Sequence, residues 1–106
     1  MNEYQKLALE TADLKRKNEL FHLALGLTGE SGEIAEKIKK IIRDHNSDET
    51  KLDKHDMAKE LGDVLWYVAV LSEYLGYSLS EISGLNIKKL SDRKSRGELG
   101  GSGDSR

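Results

Sequence analysis

Two long segments of this 106-residue chain carry apolar residues at helical period, and each stripe has two carboxylates, three positions apart, along one edge. In residues 54–76, Met57, Leu61, Val64, Val68, Leu71 and Leu75 share a face, with Glu60 and Asp63 beside them. In residues 19–45, Leu23, Leu27, Ile34, Ile38 and Ile41 do the same, with Glu30 and Glu33 at the margin. A helix of about 3.6 residues per turn puts i and i+3 on one side. Packing the two stripes together brings the two acidic edges together, and four converging acids repel unless a cation compensates them. Oxygen-only ligands suit a hard divalent ion.

The chain has no proline, and apolar/polar alternation of the strand kind is nowhere sustained, so the expected class is all-α with four helices. The first is expected over residues 3–16, broken near 17–18; the second runs to 45; a loop covers 46–53. The third spans 54–76, with Gly76 as its C-cap, and the fourth starts at Ser78 or Ser80 and reaches about residue 96. Ser78 and Glu81 have the spacing of a capping box. Residues 1–96 thus form the domain and 97–106 a Gly/Ser-rich tail. The third helix is apolar off its main stripe as well, at Trp66, Ala69 and Val70. Such a helix is buried all round. A four-helix monomer covers it poorly, so a second subunit is the expected cover, with Trp66 as anchor.

Charged residues make up 34% and hydrophobic residues 37% of the chain, which suits one globular domain. The absence of cysteine removes disulfides, zinc-thiolate sites and thiol nucleophiles together. No apolar run approaches membrane-span length and the first residues lack a secretory core, so a cytoplasmic location is expected. The formal charge of −2 hides a division, because residues 88–96 hold five basic side chains and one Asp. That balance argues against a general nucleic-acid binder and for a local phosphate site.

A single i, i+3 acidic pair is usually a solvated helix face. Here both pairs lie among glycines inside helical segments (Gly26, Gly29, Gly32 and Gly62), where each glycine costs roughly 1 kcal/mol against alanine and calls for a packing or ligand reason. On the fourth segment Asn86, Lys89, Arg93 and Arg96 fall on one face, a line suited to a polyphosphate or, more plainly, a solvated basic face near a helix C-terminus. Lys37 and Lys59 lie within a turn of the acids. His45 and His55 have no metal-ligand spacing, and a di-iron bundle, which needs two Glu-x-x-His motifs where this chain has only Glu19-Leu-Phe-His22, is excluded. Candidates for recognising a base are Gln5, Leu9, Phe21, His22, Tyr67 and Tyr74.

The run Gly-Leu-Thr-Gly-Glu-Ser-Gly-Glu-Ile-Ala-Glu from Gly26 and the run Ala-Lys-Glu-Leu-Gly-Asp-Val-Leu-Trp-Tyr-Val from Ala58 resemble the MazG-like branch of the all-α nucleoside triphosphate pyrophosphohydrolases. That family's signature is E-x-x-E, a variable spacer, then E-x-x-D, and the twenty-six residues between Glu33 and Glu60 fit it. Residues Asn86 to Gly97 are similar to its third motif, and the Gly/Ser tail looks like that of bacteriophage members. The resemblance implies a four-helix MazG-like bundle assembled as a dimer or tetramer. It implies a Mg²⁺-dependent enzyme (Mn²⁺ as substitute, two or more ions) that cleaves a nucleoside or deoxynucleoside triphosphate to the monophosphate and pyrophosphate. Its ligands would be Glu30, Glu33, Glu60 and Asp63, with Glu33 also orienting the attacking water, and Asn86, Lys89, Arg93 and Arg96 would hold the phosphates. On the same grounds dGTP leads and dCTP follows, in a host cytoplasm, and the tail with Arg106 closes over the nucleotide. A dUTPase-like hydrolase of dNTPs or dNDPs and a non-catalytic nucleotide-sensing module share these residues.

Overall fold

The computed structural model describes residues 1–14 and 17–97. Four helices, α1 (Asn2–Glu10), α2 (Glu19–His45), α3 (Lys54–Tyr74) and α4 (Leu79–Ser95), and one 3₁₀ turn (Glu49–Lys51) make up the described chain, with no strand among them. The Gly/Ser tail expected beyond Gly97, Arg106 included, lies outside the described residues.

Side-chain caps do here what proline often does at helix starts. Asp53 accepts from the backbone N–H of Asp56 (3.0 Å) at the start of α3, and Asp48 accepts from that of Thr50 (3.0 Å) at the 3₁₀ turn. Ser78 and Glu81 form the expected box: the Ser78 hydroxyl accepts from Glu81 N–H (3.1 Å) and the Glu81 carboxylate from Ser78 N–H (2.9 Å). Asn46 and Ser47 turn the chain after α2 in the left-handed region, φ 51° and 62°. Helix α3 ends at Tyr74, slightly before the expected bound, with Leu75 as its C-cap and Gly76 following at φ 88°. The first helix is shorter than expected, stopping at Glu10, where Thr11 N–H bonds to Ala8 O (3.0 Å).

Helix α3 is central. Along α3, α2 packs in a long pairing; α1 crosses its second half, and α4 touches α1 and α3 but not α2. The core is Ala8, Leu23, Ala69, Val70 and Leu79, with Ala69 and Val70 fully buried. Gln5 is buried with them, and its amide joins three elements: Nε2 donates to Ala69 O (3.1 Å) and Tyr77 O (3.1 Å), and Oε1 accepts from Leu79 N–H (3.0 Å). Gln5 is therefore a structural residue and not a base reader.

On the face of α3 bearing Trp66, Ala69 and Val70, the last two are covered from within the chain and need no subunit over them, while Trp66 is half-buried. Ala69 and Val70 lie under α1, and the Trp66 indole donates to the Thr11 hydroxyl (2.7 Å). A helical wheel shows which face is apolar and not which element covers it. Along the expected α3 stripe, Leu61 and Leu75 are more than half exposed.

Candidate metal and nucleotide site

The α2–α3 pairing sets Glu30 against Glu60 and Asp63. One carboxylate oxygen from each comes within 4.8 Å of the others. Glu30 and Glu60 are half-buried and Asp63 is exposed. Partial burial, then the charges of Glu33, Asp63 and Glu60, raise the Glu30 carboxyl above its ordinary 4.5. Glu33, one turn further along α2, is exposed and stands outside the closest group, though near enough for Glu30 to feel its charge.

Glu60 is held from one side only. Its Oε1 lies 3.4 Å from the Lys37 ammonium, while its Oε2 is buried with no hydrogen-bond partner. An orphaned carboxylate oxygen of this kind is costly. Two more carboxylates stand beside it, so the arrangement fits a hard divalent cation held by oxygen. Lys37 also pairs with Asp56, and that bond is the main reason the Lys37 ammonium is raised above 10.5 and the Asp56 carboxyl lowered below 3.8. Lys37 is thus no ordinary surface lysine: it ties α2 to α3 next to the acids. Asp56, within the first turn of α3, carried no motif that marked it in the sequence.

Of the four glycines, Gly26 has a packing reason. A Cβ there would meet Tyr67 Cε1 at 2.2 Å, so the bare backbone lets the Tyr67 ring lie on α2. Gly29, Gly32 and Gly62 face open space in this chain. The neighbouring Thr28 and Ser31 hydroxyls donate back to Ala24 O (3.1 Å) and Leu27 O (2.9 Å), so they are used inside the helix.

On α4, Lys89 and Arg93 are half-buried and Asn86 and Arg96 exposed. Because α4 has no contact with α2, the basic line is not brought against Glu30 by the packing of helices within one chain. Among the base-reading candidates, His22 and Tyr67 line one cavity where α2 begins, while Phe21 and Tyr74 are exposed and Leu9 packs on the core.

The profile of the MazG nucleotide pyrophosphohydrolase domain matches residues 19–97, from the start of α2 through the end of α4. A "Gene 37 protein" of Mycobacterium phage L5 is 44% identical, over 97% of this chain and 96% of its own. No solved structure matches.

Proposed function

This chain belongs to the MazG family, a nucleoside triphosphate pyrophosphohydrolase acting on phosphorus anhydrides, and from that premise we propose that its Glu30–Glu60–Asp63 cluster is the Mg²⁺ site of the reaction. Members of the family are generally dependent on a divalent metal. The observation that carries the proposal is the buried, partnerless Glu60 Oε2 beside the Glu30 and Asp63 carboxylates.

Glu30, Glu60 and Asp63 would hold the metal, two or more ions with Mn²⁺ as substitute, and Glu33 would complete the set from one turn away. Bound there, the metal supplies charge neutralisation for the phosphates and a more acidic water. The chain's own part is to position. Lys37 holds Glu60 by one oxygen, and the other is buried without a partner. Glu33, exposed at the rim, orients the water that attacks the α-phosphorus, and the Asn86, Lys89, Arg93 and Arg96 line, brought up by a neighbouring copy of the chain, receives the polyphosphate. The products are the monophosphate and pyrophosphate. By resemblance the substrate is dGTP first and dCTP second, and the role is nucleotide-pool control in a host cytoplasm. Among the described residues no helix is long and apolar enough to cross a membrane.

A homo-oligomer, dimer or tetramer, belongs to the same reading. Phe21, Leu25 and Ile42 on α2 and Leu61 on α3 are all more than half exposed, an apolar load that a lone chain leaves in water.

Incubating the protein with the eight common NTPs and dNTPs, in Mg²⁺ or in EDTA, and resolving products by anion exchange tests the reading. Monophosphate with pyrophosphate, formed only with metal, is expected. Release of orthophosphate, or turnover that survives EDTA, would overturn it.

A further inference from the structure

A cavity of about 220 Å³ opens where the chain leaves α1, where α2 begins and where α3 passes its midpoint. Ala12, Asp13, Glu19, His22, Trp66 and Tyr67 line most of it. Two walls are aromatic: Trp66 and Tyr67 stand edge to face, 4.9 Å between centroids and 83° between planes. The rest of the lining sets Asp13, Glu19 and His22 beside Ala12, Leu14 and Leu23, and the Glu19 side chain in it belongs to a residue only 5% exposed.

The cavity lies along the same two helices as the carboxylate cluster. Tyr67 is four residues beyond Asp63 on α3, a rise of roughly 6 Å, and His22 is eight residues before Glu30 on α2, a rise of roughly 12 Å. Tyr67 lines the cavity and packs against Gly26, which lies between His22 and Glu30 on α2. A flat heteroaromatic ring with polar edges suits aromatic walls and a polar end. Its sugar would then run past Tyr67 and put the phosphates at the acids.

We propose that this cavity receives the base of the nucleotide and that Glu19 and Asp13 select a base presenting adjacent N–H donors. The inference rests on the nucleotide-hydrolase reading above. An ionised carboxylate is acceptor-only, with two oxygens and about four lone-pair sites, so each acid can accept from a base in addition to any bond it already makes. Guanine offers a ring N–H and an amino group side by side. Cytosine and adenine offer an amino group next to an acceptor nitrogen, and thymine offers a ring N–H flanked by two carbonyls that would face the acids lone pair to lone pair. The expected order is therefore guanine first and thymine last.

Trp66 is the only tryptophan of the chain, so its fluorescence reports this cavity. Metal-free protein in EDTA would be titrated with dGMP, dTMP and, as a phosphate-only probe, pyrophosphate. A saturable change is expected with dGMP, at least roughly tenfold weaker with dTMP and absent with pyrophosphate. Glu19→Gln should remove most of the difference between dGMP and dTMP. Should that variant fail to fold, Asp13→Asn at the exposed rim carries the same expectation. A silent Trp66, equal affinity for dGMP and dTMP, an equal response to pyrophosphate, or an unchanged order in the folded variants would overturn the proposal. Metal-dependent turnover beside a silent Trp66 would sink the cavity and leave the hydrolase. Base discrimination without turnover would do the reverse.

Discussion

At Glu60 two demands meet, one oxygen held by Lys37 and the other buried with nothing to bond. Glu60→Gln replaces that acid with an amide that is a poor metal ligand but relieves the repulsion. Steady-state kinetics should show turnover reduced by about a hundredfold or more, while the metal-free variant melts no lower than the parent. A second expectation concerns pH. The Glu30 carboxyl is raised above 4.5 on folding, so folding favours its protonated form. At pH below 4.5 the group is protonated folded or unfolded and costs nothing. Between 4.5 and the raised folded value the unfolded chain has already lost its proton while the folded chain still holds one, so stability is lost as pH rises through that range. Asp56 has the opposite sign: its carboxyl is lowered below 3.8, so its pairing with Lys37 stabilises above that pH and is lost as pH falls through the lowered value. Melting the metal-free protein at a series of pH values rising from just below 4.5 should show a decline that Glu30→Gln flattens.

At the scale of the helix, two glycines in one segment have opposite tests. Gly26→Ala drives a methyl into the Tyr67 ring, so either the ring turns or α2 and α3 part, at a cost of about 1–3 kcal/mol. Gly29→Ala meets nothing and should stabilise α2 by up to about 1 kcal/mol. Thermal or urea melts of the two variants check the contrast, and a loss at position 29 would mean that α2 is packed there in solution. Gln5→Leu belongs to this scale as well, since it strips Tyr77 O and Leu79 N–H of their partner at the α3–α4 corner. About 2 kcal/mol of stability should go with it. The helices themselves were legible: stripes of period 3.6, the Ser78–Glu81 box and Gly76 put three of the four close to where they lie. The early end of α1 was not, because nothing between Glu10 and Asn18 breaks the helical pattern strongly.

For the whole molecule, the buried apolar core among the described residues is Ala8, Leu23, Ala69, Val70 and Leu79, small for the apolar residues present, and Phe21, Leu25, Ile42 and Leu61 remain in water. Sedimentation equilibrium should give a multiple of 11.9 kDa. Introducing charge at Phe21 and Leu25 together, one turn apart on α2, should shift that mass toward the monomer; a parent protein that sediments as 11.9 kDa would remove oligomerisation from the reading.

Sequence alone was sufficient for the class of fold and for setting each pair of acids along one edge of its helix, since helical periodicity and i, i+3 spacing are local properties that survive any arrangement of the helices. It was also sufficient for the family, whose motifs are read in order along the chain. Which faces meet is not local. Only the tertiary structure put α1 over Ala69 and Val70, turned Gln5 into a corner tie, paired Lys37 with Asp56 and Glu60, and set Trp66 and Tyr67 opposite Glu19. Each of those contacts joins residues far apart in the chain, and a contact of that kind depends on how helices pack, which the period of a single helix does not encode.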